Sequence, residues 1–157
     1  MPDRRYWLMK SEPGAYSIDD LARDGETFWD GVRNYQARNF MRDDMRVGDG
    51  VLFYHSNADP PGVVGVAEVS RAGYPDHTAR DPKSGHFDEK ATDDDPRWFM
   101  VDIRFVRRLP RTVPLDELKA EKALEGMVVT TRSRLSVQPV EKKHFDHVLK
   151  MAEKESA

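Results

Sequence analysis

Residues 97–109, RWFMVDIRFVRRL, alternate in side-chain character over their whole length, which restricts the fold more than any other segment. A period of two places successive side chains on opposite faces of a β-strand. The face expected in the core consists of Phe99, Val101, Ile103 and Phe105. The opposite face is mixed and consists of Trp98, Met100, Asp102, Arg104, Val106 and Arg108. Such a strand is typical of a curved sheet or barrel, whose polar side chains meet a helix or a partner.

Other segments predict further strands. Residues 49–56, DGVLFYHS, and 62–73, GVVGVAEVSRAG, are rich in β-branched and aromatic residues, and the turn signal NADPPG separates them. This arrangement predicts a β-hairpin. Residues 4–10, RRYWLMK, predict a first strand, and residues 132–140, RSRLSVQPV, predict a short, basic one.

Capping signals predict two helices near the start of the chain. Ser17 is a suitable N-cap, Asp20 three residues later acts as a short capping-box acid, and Gly25 ends the helix. The second helix begins after Asn34, another suitable cap. Its residues expected to face inward are Phe40, Met41 and Met45.

Two more helices are predicted toward the end of the chain. Pro114 opens one at its first position, and Gly126 lies near its end. The last helix carries an apolar stripe at helical spacing, formed by Phe145, Val148, Leu149 and Ala152. Together the elements predict an α+β fold in one domain over residues 1–157, with a strongly bent, mostly antiparallel sheet or small barrel flanked by short helices.

Composition limits the classes of protein that this chain can represent. Its 157 residues suit a single core, and 10% aromatic residues supply large groups to build it. No stretch is apolar enough for a membrane span, and MPDRRYWLMK does not have the apolar run of a signal peptide. With no cysteine the chain has neither disulfides nor a thiolate site, which fits a reducing compartment. We therefore expect a cytoplasmic protein without a membrane partner.

Charge is unevenly distributed along the chain, although the net charge is only -3. Residues 81–95, DPKSGHFDEKATDDD, carry six acids and two lysines, whereas residues 104–111, RFVRRLPR, carry four arginines and no acid. Each is either an ordinary solvated segment or part of a binding surface. A nucleic acid would approach the arginines and avoid the acidic loop. The surrounding segment 72–96 is long enough to be a mobile flap or an insertion with its own role.

The sequence contains few residue patterns typical of an enzyme active site or a metal site. His144 and His147 are spaced by three on the last helix, where a solvated face is the commoner explanation. The candidate nucleophiles with a nearby base are Ser11, beside Lys10 and Glu12, and Ser56, beside His55. Neither follows a nucleophile-elbow pattern. Neighbouring strand residues also point to opposite faces. We expect no catalytic residue, no metal and no cofactor.

Aromatic and small polar residues in short turns favour a binding slot instead. The candidate walls are Trp29, Tyr35, Tyr54 and Trp98, and the candidate orienting groups are Ser11, Asn34 and Ser56. Stacking is worth about 1–3 kcal/mol per base, and edge hydrogen bonds choose the base, so such a slot suits a planar heterocycle. For Trp98 and for Tyr54, each taken alone, a place in the core is the better explanation. Trp29 stands in a polar turn next to Asp30 and Gly31, where a core role is harder to explain.

Six motifs, in the same order along nearly the whole chain, resemble the EVE domain family of the PUA-like superfamily. They are YWLMKSEP (6–13), WDGVRNYQARNFM (29–41), GDGVLFYHS (48–56), GVVGVAEV (62–69), RWFMVDIRFV (97–106) and RSRLSVQPV (132–140). The resemblance implies a PUA-like pseudo-barrel. It also implies a non-catalytic reader of modified bases, with modified cytosine in DNA the favoured ligand and modified RNA a second possibility.

The resemblance also implies a set of pocket residues. They are Lys10, Ser11, Trp29, Val32, Arg33, Asn34, Tyr35, Tyr54, His55, Ser56, Trp98, Ser133, Arg134, Leu135 and Ser136. The expected phosphate contacts, which position a nucleic acid without specifying its sequence, are Arg33, Arg104, Arg132 and Arg134. A duplex would have to flip its base into such a pocket. There are two alternatives to a reader of modified bases: a pocket for a free nucleoside and, less favourably, an enzyme acting on nucleic acid.

Overall fold

One sheet carries all the strands of the structure, a computed structural model that describes residues 4–92, 94–131 and 135–154. Its strands are Tyr6–Ser11 (β1), Glu26–Phe28 (β2), Gly50–His55 (β3), Gly62–Pro75 (β4), Phe99–Pro114 (β5) and Val137–Val140 (β6). They lie in the order β2-β5-β4-β3-β1-β6. Among the described strands only β1 and β3 pair in parallel, and the hairpin of β3 and β4 is present as predicted.

The predicted α+β class, with a mostly antiparallel sheet and short helices, is confirmed. Within the described residues β2 and β6 are the two edges and do not pair with each other, so the sheet is open and not a closed barrel. Several register shifts occur between β4 and β5. Such irregularities bend and twist a strand pair, which is how an open sheet curves around a core.

The first two helices begin where the capping signals placed them. Helix α1 spans Ile18–Asp24, with Ser17 and Asp20 forming a reciprocal capping box, and helix α2 spans Tyr35–Asn39. The Asn34 side chain caps α2 by accepting a hydrogen bond from the backbone of Ala37, and a π-helical turn continues to residue 44.

Helix α3 spans Leu115–Ala120, so Pro114 is its N-cap, one position before the place that the sequence predicts for it. The chain then continues through two short 3-10 turns, and helix α4 spans Lys142–Glu153. In the part of the chain described, no helix is long and apolar enough to cross a membrane.

The two faces of the sheet belong to different hydrophobic clusters. Trp7 and Met9 of β1 lie in the first cluster with residues of α1 and α2, whereas Tyr6 and Leu8 lie in the second cluster with α4. Burial on both faces explains why these strands are continuous apolar runs. Met100 departs from the predicted alternation, since it is fully buried in the first cluster together with its neighbour Val101.

Asp49 is a buried carboxylate that ties the start of β3 to two other segments. It accepts hydrogen bonds from the indole Nε1 of Trp7 (2.9 Å) and from the backbone nitrogens of Arg5 (3.2 Å) and Arg46 (2.9 Å). Only 3% of the residue is exposed. Its removal would leave several buried or half-buried donors without an acceptor.

We expect Asp49→Ala to lower the free energy of unfolding by about 2–4 kcal/mol, because unpaired buried donors are costly. Urea unfolding followed by tryptophan fluorescence measures the change. Asp44→Ala is the matched control, since Asp44 forms an exposed ion pair with Arg5, and should cost less than about 1 kcal/mol. Equal effects of the two substitutions would contradict the role given to Asp49.

Candidate functional site

A cavity of about 550 Å³ opens on the side of the sheet that carries the first hydrophobic cluster. It is lined by Lys10, Ser11, Ala15, Tyr16, Thr27, Phe28, Trp29, Asp30, Gly31, Val32, Arg33, His86 and Ser136. The lining therefore comes from the end of β1 and its following turn, from β2 and the loop after it, and from two more distant residues. Its size is within the range of small-molecule pockets, about 300–1,000 Å³.

Trp29 forms part of the cavity wall and is held from two sides. Its backbone nitrogen donates to the carbonyl of Val101 (2.8 Å), which extends the pairing of β2 with β5 by one residue. Its ring meets Phe53 edge to face, with centroids 5.5 Å apart, and the residue is only 8% exposed. The indole is thus fixed by the core, and one part of it remains available to the cavity.

Asp76, just after β4, anchors the loop that follows Trp29. Its buried carboxylate accepts from the backbone of Gly31 (2.8 Å) and from Nη1 of Arg33 (3.1 Å), and also from the backbone and hydroxyl of Thr78. Burial alone would raise the pKa of Asp76. The hydrogen bonds from Thr78, Gly31 and Arg33 outweigh burial and lower that pKa below its ordinary value.

The loop between β4 and β5 reaches the cavity through His86. Nη2 of Arg33 donates to the main-chain carbonyl of His86 (2.6 Å), and Nδ1 of the imidazole lies 3.3 Å from Oδ2 of Asp30. Gly31 has φ +78°, and a Cβ at this position would come within 2.7 Å of the His86 ring. Glycine is therefore required here both for its backbone conformation and for the close approach of His86.

Lys10 and Ser11 form the opposite part of the lining. Partial burial lowers the pKa of the Lys10 amine, whose Nζ lies 5.5 Å from the centre of the Tyr54 ring. The Ser11 hydroxyl donates to the carbonyl of Tyr16 (2.6 Å), so its oxygen can still accept a hydrogen bond from a ligand. The backbone of Lys10 donates to Ser136, which brings that residue to the cavity.

Six of the residues predicted for the pocket line this cavity: Lys10, Ser11, Trp29, Val32, Arg33 and Ser136. Several others lie elsewhere in the structure. Tyr54 and Leu135 are buried in the second and first hydrophobic clusters, respectively. His55 accepts from the backbone of Ile18 (3.1 Å), and the backbone of Ser56 donates to Ser11. The Asn34 side chain is used as the cap of α2.

Trp98 and Tyr35, also predicted for the pocket, stack on each other outside the cavity. Their ring centroids are 4.9 Å apart, with the Arg33 guanidinium over Trp98 and that of Arg38 over Tyr35. Nε1 of Trp98 donates to Asp88 (2.7 Å), and Trp98 is largely buried. The stack is connected to the cavity lining through Arg33, which lines the cavity and whose guanidinium lies over the Trp98 ring.

The arginines expected to face phosphate are differently placed. Arg33 lines the cavity, whereas Arg104 lies on β5 in an exposed ion pair with Glu68 (2.8 Å). The three other arginines of the 104–111 segment also have acidic partners: Arg107 with Glu153, Arg108 with Asp19 and Arg111 with Glu117. Much of the positive charge of this segment is therefore balanced locally. Arg132, Ser133 and Arg134 lie outside the described residues.

The prediction missed several lining residues. Thr27, Phe28, Asp30 and Gly31 adjoin Trp29 in the sequence, so their proximity to it was the available signal. Ala15 and Tyr16 follow the first predicted motif in the same way. His86 carried no local signal, because it lies in the acidic loop that the sequence placed away from any ligand. The structure instead places part of that loop at the cavity and against Trp98.

The histidine pair of the last helix has structural neighbours. His144 is buried with Nδ1 3.4 Å from Glu141, and Nε2 of His147 lies 3.6 Å from Glu121. Over residues 4–92, 94–131 and 135–154, no group of three or more histidine, aspartate or glutamate side chains is arranged to hold a metal ion.

Comparisons with known proteins agree on one family and one fold. The EVE domain model matches residues 5–151. Human thymocyte nuclear protein 1 is 46% identical over 169 residues, covering 96% of this chain and 75% of the human protein. A solved structure of a hypothetical protein from Leishmania major is 53% identical, with a TM-score of 0.92 and 96% of each chain covered. The crystal structure of human THYN1 in complex with DNA containing 5-methylcytosine is 44% identical, with a TM-score of 0.91, covering 97% of this chain and 99% of that one.

We expect Asp76→Asn to destabilise the protein by about 2–4 kcal/mol at neutral pH, because a buried partner of Arg33 loses its charge. The folded-state pKa of Asp76 is depressed, so its stabilisation is complete above the unfolded-state pKa of about 3.9. It is lost as the pH falls through the lower folded-state pKa. Unfolding curves at pH 7 and at acidic pH should therefore show the difference between wild type and variant shrinking on acidification. Asp43→Asn, on the surface, is the control, and a difference that grows toward low pH would contradict the stabilising role of the ionised Asp76 carboxylate.

Proposed function

The chain belongs to the EVE domain family, and from that premise we propose that it is a non-catalytic binding protein that reads a modified cytosine in DNA. The observation that carries the proposal is the human THYN1 structure in complex with DNA containing 5-methylcytosine, which shares 44% identity and nearly the whole fold. The cavity beside Trp29 is the proposed base pocket.

The lining of the cavity suits a single base. Trp29 offers an indole for stacking, while Phe28, Val32 and Ala15 supply an apolar surface. Polar groups complete the lining, with Lys10 and Ser11 opposite Trp29 and Asp30 next to Trp29 in the chain, all able to meet the edge of a heterocycle. Stacking on an aromatic side chain is worth about 1–3 kcal/mol per base. This is comparable with the few kcal/mol needed to unstack a base, so flipping from a duplex is energetically accessible.

A methyl group on the base would be sensed by apolar contact. One methylene in a fitted apolar recess is worth about 1–3 kcal/mol, which corresponds to a selectivity of roughly 10–200-fold. The proposed reader is therefore modestly selective for the modification. Arg33, Arg104, Arg132 and Arg134 remain the proposed phosphate contacts, and they should add affinity that falls with salt without adding base selectivity.

Binding to oligonucleotides that differ at one position tests the proposal. Fluorescence polarisation would compare cytosine, 5-methylcytosine and 5-hydroxymethylcytosine in duplex and single-stranded DNA, beside RNA with modified cytosine. We expect the modified DNA to bind more tightly than unmodified DNA. Tighter binding of the RNA set would reassign the ligand class to RNA, and binding of a free nucleoside that ignores salt would favour a small-molecule pocket.

We expect Trp29→Phe to weaken binding to 5-methylcytosine DNA roughly tenfold, because the smaller ring stacks less well. Phenylalanine keeps an aromatic ring against Phe53, so the fold should survive the change. Trp7→Phe is the matched control, since Trp7 is aromatic and buried but does not line the cavity, and should bind nearly as the wild type does. A loss in Trp7→Phe as large as that in Trp29→Phe, with both proteins folded, would place the base elsewhere.

A further inference from the structure

Asp30 is the only carboxylate among the described residues that line the cavity, and its position is closely controlled. Its Oδ2 lies 3.3 Å from Nδ1 of His86, and its side chain is mostly buried, with 29% exposed. Trp29 precedes it in the chain. The carboxylate therefore lines the same cavity as the proposed stacking residue, next to it in the chain.

A chain of contacts from the protein interior holds this carboxylate. Buried Asp76 binds Arg33, Arg33 binds the carbonyl of His86, and the imidazole of His86 meets Asp30. Gly31 makes room for that imidazole through a positive φ and a missing side chain. Interactions between residues more than forty positions apart in sequence thus converge on one side chain, which is how binding sites hold a polar group in a fixed position.

A carboxylate at this position gives a reader of 5-methylcytosine a means to discriminate against thymine. Thymine and 5-methylcytosine carry the same methyl group, so an apolar recess alone would accept both bases. They differ at the neighbouring exocyclic group, which is an amino donor in cytosine and a carbonyl acceptor in thymine. Because thymine is abundant in any DNA, a reader without edge discrimination would be occupied by ordinary sequence.

We propose that Asp30 accepts a hydrogen bond from the exocyclic amino group of the bound base and so selects 5-methylcytosine over thymine. The inference rests on the proposed function and names the group that sets its specificity. A carboxylate accepts more than one hydrogen bond, so the approach of His86 Nδ1 to 3.3 Å leaves acceptor positions on Asp30 for the base amino group. The thymine carbonyl at the same place would face a negative charge with no proton between them. His86 acts as a positioning residue for Asp30.

The charge of Asp30 does not prevent DNA from approaching. Lys10 and Arg33 line the same cavity, so their two positive charges balance Asp30 and the Arg33 partner Asp76. Arg33 is also partly exposed, with 25% of its side chain open to solvent. The cavity therefore presents an acceptor to the base edge while its cationic groups favour the phosphate backbone.

Single-stranded oligonucleotides identical except for one base test the inference, because they remove the cost of flipping. The bases are 5-methylcytosine, cytosine, thymine and uracil, and the quantity is the ratio of the dissociation constants for thymine and 5-methylcytosine. For the wild type we expect a preference for 5-methylcytosine of roughly tenfold or more, as for a matched polar contact to a base edge. In Asp30→Asn the ratio should fall toward one, since an amide can donate to the thymine carbonyl.

Two further variants separate base reading from folding. Asp116→Asn removes the same charge from an exposed position at the start of α3 and should keep the wild-type ratio. His86→Ala should give an intermediate ratio, a readout that mere loss of stability does not produce. Because the ratio is measured within one protein, it does not depend on the fraction of active molecules.

The outcomes for the two proposals are distinct. Equal binding of thymine and 5-methylcytosine, both tighter than cytosine, overturns the role of Asp30 but leaves methyl reading intact. An unchanged ratio in Asp30→Asn also overturns that role. Failure of the wild type to bind any oligonucleotide with 5-methylcytosine overturns the proposed function, and with it this inference.

Discussion

Burial of both faces of the central strands is the constraint on which the remaining structure depends. Side chains of β1 and β3 alternate between two hydrophobic clusters, so each face of the sheet needs its own cover. Helix α4 covers the second face, where Phe145 packs on Tyr6 with centroids 4.5 Å apart. The first face is covered by short pieces, namely α1, α2 and the loop that carries Trp29. The cavity lies where these short segments do not fully cover the first face of the sheet.

Buried carboxylates accept hydrogen bonds from the irregular backbone of the segments that cover the sheet. Asp49 and Asp76 are each almost inaccessible, and each accepts hydrogen bonds from backbone groups that regular structure would otherwise satisfy. Asp76 has the larger functional consequence, because its partner Arg33 connects three features: the loop after Trp29, the carbonyl of His86 and the Trp98–Tyr35 stack. A single buried carboxylate thus sets the geometry of the cavity wall.

Local signals predicted a large part of this arrangement. Ser17 and Asn34 cap helices as expected, because capping depends on residues only three positions apart. The hairpin of β3 and β4 follows from its turn residues in the same way. Trp29 was singled out because an aromatic ring in a polar turn needs an unusual explanation, and it does line a cavity. Tyr54 and Trp98 were also candidate walls, although the sequence favoured a core position for each, and they lie in the second core cluster and in a buried stack outside the cavity.

By itself, the sequence determined most of the elements, the caps of the first two helices, the α+β class and, through six motifs, the family, but it did not indicate the short strand β2. Only the tertiary structure decided which side chains share the cavity. Alternation and capping are short-range properties that neighbouring residues specify, whereas the approach of His86 to Asp30 depends on a contact between residues 56 positions apart. The acidic loop shows the difference most clearly. Its composition suggested a solvated segment remote from any ligand, but Arg33 and Gly31 bring His86 to the cavity through a hydrogen bond and a space that only glycine leaves open.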